Sequence, residues 1–427
     1  MAGAGLRVLL LNWRDSGHPE GGGAENVIER IAAGLRGRGH TVEVHCAHYA
    51  GAAVTEVVDG VRFVRRGGRY SVYLRTAAAL LRRRHAWDVV VDVQNGVPFW
   101  APLFTRTPVV NLTHHLHREQ WQVIFGRALG RVGWWLESRV APRVYRHCRY
   151  VAVSEATRAD LARIGVTPER VGVVYSGIDA PVLPLDAEAW PRSAAPSLVV
   201  LGRLVPHKRV EVALATLARL RGRWPELTLT VVGQGYWESA LRAEAERLGV
   251  ADAVRICGHV DDATKHRLLA DAWLHLMPSV KEGWGLVVVE SAAHGTPTVA
   301  FRSAGGPRES IVDGVTGLLV DDEAGFADAV GRLLADDALR GRLGHAARTW
   351  AARFSWDVAV RAFEAELLAV ARPADAAVEL PAIGSAPAGL PDVGLPDVGR
   401  LTDVGLADVG PPESEWTDAE SAVDAAG

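Results

Sequence analysis

The sequence predicts an α/β protein built from two doubly wound domains with a cleft between them. Strand-like apolar runs alternate with Ala-, Leu- and Arg-rich helical stretches, the pattern of a parallel sheet covered by helices on both faces. The alternation occurs in two series, separated by a stretch rich in Pro, Asp and Ala. The 427 residues also exceed the size at which a single hydrophobic core keeps growing, so two domains are expected.

The first series comprises "RVLLLNW", "TVEVHCA", "VVVDVQN", "VVNLTHH" and "YVAVSE", and assigns residues 1–180 to one domain. After Tyr175 the pattern loosens into "SGIDAPVLPLDAEAWPRSAAP", read as a linker over 181–196. The second series, "SLVVLGR", "LTLTVVG", "AVRICGH", "LHLMPS" and "PTVAFRS", assigns 197–355 to the other domain. A helix is expected over 356–371, capped by Ser355 and ending before Pro373, with 356–372 packing back on the first domain. Beyond it, 373–427 carries an imperfect "LPDVG" repeat whose acidity, Pro and Gly content and lack of apolar mass predict disorder.

Charge divides along the same line. The formal net charge is −3, but 373–427 holds seven Asp, four Glu and one Arg, a net of −10, which leaves +7 on the rest. A basic body suits a polyanionic ligand or an anionic membrane surface, and equally keeps an Arg-rich chain soluble. With 48% hydrophobic and 23% charged residues the composition is that of a soluble globular chain. Cys46, Cys148 and Cys257 are odd in number, far apart and without zinc or redox spacing, which fits a reducing compartment. The opening "LRVLLLNW" reads as a first strand and not a signal peptide, and no apolar run reaches the roughly 18 residues of a spanning helix.

Four stretches carry candidate chemistry. "HPEGGGAENVIERIAAGL" places Gly21, Gly22 and Gly23 between the first strand and a helix, where backbone N–H groups can approach a phosphate. A flexible turn is the competing reading, since neither a dinucleotide fingerprint nor a P-loop is present. "LGRLVPHKRV" puts Arg203 and Lys208 on one loop at a strand's C-terminal end, where open α/β sheets bind ligands. Two cations there suit a diphosphate. In "PSVKEGWGLVVVESAAHG", Gly283 and Gly285 break the chain after a strand, and "LVVVESAAH" follows as a helix closed by Gly295 and Pro297. Glu282 then lies on the loop and Glu290 in the second helical turn, with orphan N–H groups between them. "VVNLTHHLHREQW" holds His114, His115 and His117 past a strand end. No Cys or carboxylate completes a metal spacing, so a hydrogen bond to a substrate hydroxyl is favoured over a metal site.

Gly21 to Glu25, "VSEATRADL", "VVYSGID", "GRLVPHK", "VVGQG", "GHV", "PSVKEGWGLVVVES", "GTPTVA" and "GVTGLLV" together resemble a retaining glycosyltransferase of family 4, over roughly residues 6–371. The resemblance implies the GT-B fold: two Rossmann-like domains, a nucleotide-sugar donor held mainly by the second and an acceptor mainly by the first. It implies no metal and no cofactor, with a UDP- or GDP-sugar as co-substrate. Carried over, Arg203 and Lys208 hold the diphosphate, and the glycine loop, Gly22 and Gly23, closes on it. Glu282 lies against the transferred sugar with Gly283 beside it, and the N–H groups of Gly285 and Leu286 lie near sugar and phosphate. Glu290 binds the ribose, and Gly258, His259 and Val260 line the base pocket. Either His114 or His115 matches the family's sugar-contacting histidine.

The implied reaction is front-face transfer with retention, the leaving phosphate helping to deprotonate the acceptor. Competing readings are a nucleotide-sugar epimerase and a non-catalytic nucleotide-sugar-binding protein. "FGRALGRVGWWLESRVAPRVYRHCRY" places Phe125, Leu129, Val132, Leu136 and Val140 at helical spacing among Arg127, Arg131, Arg139, Arg143 and Arg146. It reads as a domain-packing helix with a basic edge or as an amphipathic helix on an anionic membrane. The expected setting is the cytoplasm, peripheral to the inner membrane face if the hydroxyl acceptor is lipid-linked, with no nucleic-acid partner.

Overall fold

The computed structural model describes residues 5–179 and 192–371. Most of the stretch read as a linker, and all of 373–427, lie outside the described residues. The strands are β1 (Arg7–Leu11), β2 (Thr41–Cys46), β3 (Thr55–Val58), β4 (Val61–Arg65), β5 (Val89–Gln94), β6 (Val109–Thr113), β7 (Arg149–Ala152) and β8 (Val171–Val173). A second series follows: β9 (Ser197–Leu201), β10 (Thr228–Val232), β11 (Val254–Ile256), β12 (Leu274–Met277), β13 (Thr298–Phe301) and β14 (Gly317–Val320). They form two sheets, ordered β3-β4-β2-β1-β5-β6-β7-β8 and β11-β10-β9-β12-β13-β14. All pairs are parallel except β3 with β4.

That exception is a hairpin turned by Asp59 and Gly60, both at positive φ. Asp-Gly is the preferred pair for such a two-residue turn, so "VVDGV" carried a signal the strand reading passed over. In each sheet the strand order reverses once, at β1/β5 and at β9/β12. A doubly wound sheet opens a crevice at that point, outside the carboxyl ends of its strands.

Near-continuous Val and Leu runs make β1 and β5 suitable for burial on both faces. One face of the first sheet packs on helices Gly23–Gly37 and Trp356–Ala371 through Ile28, Leu35, Val360 and Phe363. A Cβ on Gly34 would overlap Val360, so the two helices touch backbone to side chain. Arg38 to Glu364 at 2.6 Å and Arg149 to Glu366 at 2.6 Å tie the last helix down. The second sheet packs on helices Val210–Arg221, Glu238–Arg247 and Glu323–Ala335 through Leu214, Leu217, Leu241 and Val330.

The two units meet through a shared apolar cluster of Val153, Tyr175, Trp284, Trp350 and Phe354. The Tyr175 and Trp284 rings lie 4.5 Å apart, and Trp284 meets Phe354 edge-on at 5.1 Å. Beside it, Glu309 of the second unit caps helix Glu155–Arg163 of the first. Its carboxylate accepts from Glu155 N (2.8 Å), Ala156 N (2.7 Å) and the Tyr175 hydroxyl (2.9 Å).

The basic stretch after His117 is not one continuous amphipathic helix. Helix Arg118–Trp135 is broken at Gly126 (φ 69°, ψ 174°), and Leu136–Val140 winds as a π-turn before Ala141–Val144. Gly126 has the conformational freedom to interrupt the ladder there. Leu129, Val132 and Trp135 remain exposed at 65%, 53% and 56%, while Glu137 turns inward and is buried.

Glu309→Ala leaves three donors unpaired at the joint, a loss of about 3 kcal/mol. Calorimetry should then show a melting temperature lower by roughly 6 °C or more. An unchanged melting curve would mean that this cap does not hold the joint.

Candidate active site

The site assembles at the carboxyl ends of β9 and β12. β9 ends into Gly202, and a Cβ on Gly233 would overlap the Gly202 carbonyl, so glycine lets the loops after β9 and β10 close together. The following loop, Arg203 to Arg209, is fastened to the loop after β12 by Val280 N donating to His207 O at 2.9 Å. Across that seam the Lys208 ammonium donates to Glu282 Oε1 at 2.5 Å. Burial works against the charge on Glu282, but Lys208, the Ser279 hydroxyl and His207 hold its carboxyl below the usual range. Glu282 N donates to Ala304 O (2.8 Å) and its carbonyl accepts from Gly306 N (3.1 Å), so the backbone beneath the carboxylate is clamped.

Gly283 meets the other domain directly. A Cβ there would overlap the His114 carbonyl oxygen, and its own carbonyl accepts from Ser154 Oγ at 2.6 Å. Gly285, at φ 86° and ψ 53°, is the left-handed start of helix Leu286–Ala293. With Val288 N bonded back to Gly285 O, the N–H groups of Leu286 and Val287 stand at the helix mouth, where negative charge is favoured. In the second turn Glu290 accepts from Lys265 Nζ at 2.9 Å, and Lys265 also reaches Asp262 at 3.0 Å. Burial opposes the Lys265 charge, but the two carboxylates hold its ammonium above the usual lysine range. Gly258, at φ 68°, accepts from Gly233 N at 2.8 Å, with His259 exposed and Val260 half-buried beside it.

From the first domain, Gly22 N donates to Glu25 Oε2 (2.9 Å), whose other oxygen takes Arg14 Nε (3.0 Å). A Cβ on Gly22 would stand 3.4 Å from Arg203 Cδ, so the glycine loop and Arg203 touch across the cleft, while the space before Gly23 is open. The adjacent histidines separate clearly. His114 is buried with no hydrogen-bond partner at Nε2, and burial pulls its pKa down to about 4. His115 is committed to Gln120 Oε1 at 3.2 Å and its ring lies tilted by 33° against that of His117, 4.3 Å away. His117 is itself held by Glu137 at 3.0 Å. The histidines thus serve different partners, and among the described residues no group of three or more His, Cys, Asp or Glu is gathered to hold a metal ion.

Arg203, Lys208, Glu282, Gly283, Gly22 and His114 therefore converge, with Glu290 and Lys265 one helical turn along and Gly258–Val260 at the outer strand. Glu25, His207, Ser279 and Lys265 were not singled out from sequence. Glu25 had a signal, a Glu three residues after a helix-capping position. His207 stood next to Lys208, but Lys265 meets Glu290 only through the packing of two helices.

Residues 167–350 match the family described as "Glycosyl transferases group 1", and residues 21–181 match "Glycosyltransferase Family 4". A glycogen synthase of Mycobacterium tuberculosis (strain ATCC 25618 / H37Rv) is 37% identical over 205 residues, 47% of this chain and 49% of that protein. A GDP-mannose-dependent alpha-(1-6)-phosphatidylinositol monomannoside mannosyltransferase of the same strain is 29% identical over 381 residues, 82% of this chain and 95% of that protein. A D-inositol 3-phosphate glycosyltransferase of Acidothermus cellulolyticus is 38% identical over 210 residues, covering 45% and 46%. The match thus spans about half the length of the glycogen synthase and of the inositol 3-phosphate enzyme. Among solved structures, Anabaena Alr3699/HepE in complex with UDP and glucose superposes with a TM-score of 0.68 at 21% identity, over 85% of this chain and 99% of that one. Sucrose-phosphate synthase of Thermosynechococcus elongatus gives 0.69 at 20%, over 83% and 96%. The fold is GT-B, two Rossmann-like domains facing a cleft. The chain belongs to the group 1 (family 4) glycosyltransferases.

Burial depresses six imidazoles: His114, His207 and His294 to about 4, His275 to about 3, His115 well below the usual value, and His266 below it. Unfolded, each titrates near 6.5. Their contribution to stability is therefore full above about pH 6.5 and is lost as the pH falls toward 4. Asp92, raised to about 6 by burial, and Glu29 and Glu309, also raised by burial, work oppositely and favour the folded state at low pH. Six rings outweigh three carboxyls, so the melting temperature should fall steadily from pH 6.5 to 4.5. A level or rising profile would contradict neutral burial of these rings.

Proposed function

We propose that this chain is a retaining, metal-independent glycosyltransferase that moves a sugar from a UDP- or GDP-sugar to a hydroxyl acceptor in glycan, glycolipid or secondary-metabolite biosynthesis. The observation that carries this reading is the Lys208–Glu282 pair at the facing strand ends, closed over by Gly22 and His114 of the other domain. The family membership and the shared fold support it.

In this reading the donor diphosphate lies between Arg203, Lys208 and the mouth of helix Leu286–Ala293. When the anomeric carbon–oxygen bond breaks, negative charge grows on the leaving phosphate. Preorganised cations and helix N–H groups stabilise that charge without reorganising, supplying what a metal ion would bring elsewhere. Arg203 has no carboxylate partner among the described residues, so its charge is available to the diphosphate. Glu282, held ionised by Lys208, accepts hydrogen bonds from the sugar hydroxyls and fixes the ring, with Gly283 letting the backbone approach. His114, neutral and with Nε2 unpaired, meets a further hydroxyl from the acceptor side.

Glu290 takes the ribose hydroxyls while its ion pair with Lys265 holds the carboxylate in place, and Gly258, His259 and Val260 border the base. With one carboxylate at the sugar and the other at the ribose, the close pair used by retaining hydrolases is missing from this assignment. The acceptor oxygen then bonds to the anomeric carbon on the face the phosphate leaves, and its proton passes to a phosphate oxygen.

A lipid-linked acceptor at the cytoplasmic membrane face agrees with the exposed Leu129, Val132 and Trp135 among Arg127, Arg131, Arg139, Arg143 and Arg146. Apolar side chains ringed by arginines complement an anionic bilayer surface. No helix among the described residues is long and apolar enough to cross a membrane. The mannosyltransferase relative is named for a phosphatidylinositol-based acceptor.

Incubation with labelled UDP- and GDP-sugars tests the activity: transfer, or slow donor hydrolysis, is expected. Epimerised donor, or binding without turnover, would replace this reading with another. Glu282→Ala and Lys208→Ala should each lower transfer about a hundredfold or more, and full activity in either would sink the assignment. Wild-type chain should co-sediment with anionic but not neutral vesicles, and Leu129→Ser with Trp135→Ser should weaken that retention. Equal retention on both vesicle types would remove the membrane from the proposal.

A further inference from the structure

We infer that a second anion site, separate from the donor diphosphate site, lies at the carboxyl end of β4 and takes a phosphate group carried by the acceptor. The inference rests on the glycosyltransferase reading for what the phosphate belongs to, but the site itself stands on its own geometry. A cavity of about 550 Å³ opens there, bordered by His48, Arg65, Arg66, Arg75 and the Gly67–Gly68 backbone. That volume lies within the range of small-molecule sites and holds a phosphate together with the polyol or sugar that bears it.

The charge at this cavity is not balanced. Arg65 is neutralised by Asp15 and by Glu56 at 2.7 Å. Arg66 and Arg75 are exposed, and neither has a carboxylate partner among the described residues. Two guanidinium forks with no counter-ion match a phosphate better than a carboxylate, because each can grip two phosphate oxygens and together they balance a dianion. Gly67, at φ 79°, runs under the start of helix Ser71–Arg82, where a Cβ would stand 2.7 Å from Val72 N. Glycine thus folds this loop tightly against the helix start, which sets Arg66 before the cavity and Arg75 on the following turn.

Position links the cavity to the chemistry. β4 runs parallel to β2, and β2 to β1, with Arg65 opposite Cys46 and His45 opposite Leu11. The cavity therefore opens on the same sheet edge as the ends of β1 and β6, where Gly22 and His114 stand. Arg65 carries the connection further, since its partner Asp15 begins the loop that leads to Gly22. A phosphate anchored at Arg66 and Arg75 would hold the hydroxyl-bearing part of an acceptor toward the cleft.

Calorimetric titration of the full chain with inorganic phosphate tests this. Two sites are expected, one lost in Arg203→Gln/Lys208→Gln and the other in Arg66→Gln/Arg75→Gln. Each single exchange, Arg66→Gln or Arg75→Gln, should weaken the second site about tenfold. Because both arginines are exposed, the variants should melt with the wild type, which guards against misfolding as the cause. If Arg203→Gln/Lys208→Gln abolishes all phosphate binding, or Arg66→Gln/Arg75→Gln leaves the stoichiometry unchanged, the site is overturned.

Two further arms identify the phosphate's source. Retention on phosphatidylcholine vesicles containing phosphatidylinositol that is lost in Arg66→Gln/Arg75→Gln supports a lipid headgroup. Binding of soluble inositol monophosphate at the same two arginines, with no such retention, supports a free phosphate ester. Should no sugar transfer be detected while two phosphate sites titrate, the catalytic reading fails and the anion site stands.

Discussion

The seating of one glycine governs this site. Gly283 lets the loop after β12 lie against the His114 carbonyl and Ser154, with no room for a side chain between them. That contact brings Glu282, on one side of the glycine, and the helix mouth at Gly285, on the other, to the end of the opposing sheet. The aromatic cluster around Trp284 and the Glu309 cap on helix Glu155–Arg163 hold the two units at this spacing. If the joint shifted, Arg203 and Lys208 on one unit and His114 on the other would no longer face the same volume.

Charge is the second constraint. Lys208 with Glu282, and Lys265 with Glu290, are two half-buried ion pairs on neighbouring loops and helices. Half-buried charges survive only when paired or hydrogen-bonded, and Lys208 holds the Glu282 carboxyl below its usual range. The same pairing gives both ammonium groups a carboxylate, whereas Arg203 has none among the described residues. The first domain treats Arg65 in the same way, neutralising it with Asp15 and Glu56, yet among the described residues leaves Arg66 and Arg75 without carboxylates.

Much of the fold was legible because parallel strands buried on both faces spell themselves as Val- and Leu-rich runs, and ten of the fourteen strands stand on runs of that kind. The β3–β4 hairpin was not read, since "TEVV" is exposed throughout and lacks that signature. Short β14 hid inside "GVTGLLV", and three-residue β8 ends where "VVYSGID" begins. The continuous basic helix was an over-reading: periodic Phe125, Leu129 and Val132 suggested one helix, but Gly126 breaks the ladder between the first and the others. At the site, close backbone approach calls for glycine at Gly283 and positive φ at Gly285, whereas Gly22 is extended and a Cβ there would make an ordinary contact.

The sequence by itself determined the local chemistry: which loops end strands, which glycines permit tight backbone, and that "KEGWGLVVVE" is a loop entering a helix. Only the tertiary structure decided the partnerships. Lys208 and Glu282 are 74 residues apart, and Lys265 and Glu290 are 25 apart on different helices, so no spacing rule links them. It also gave His114 and His115, identical neighbours in the chain, different surroundings. Burial and partner geometry distinguish them, and those are properties of the packed protein: one ring is spent on Gln120, the other is left neutral with a free nitrogen.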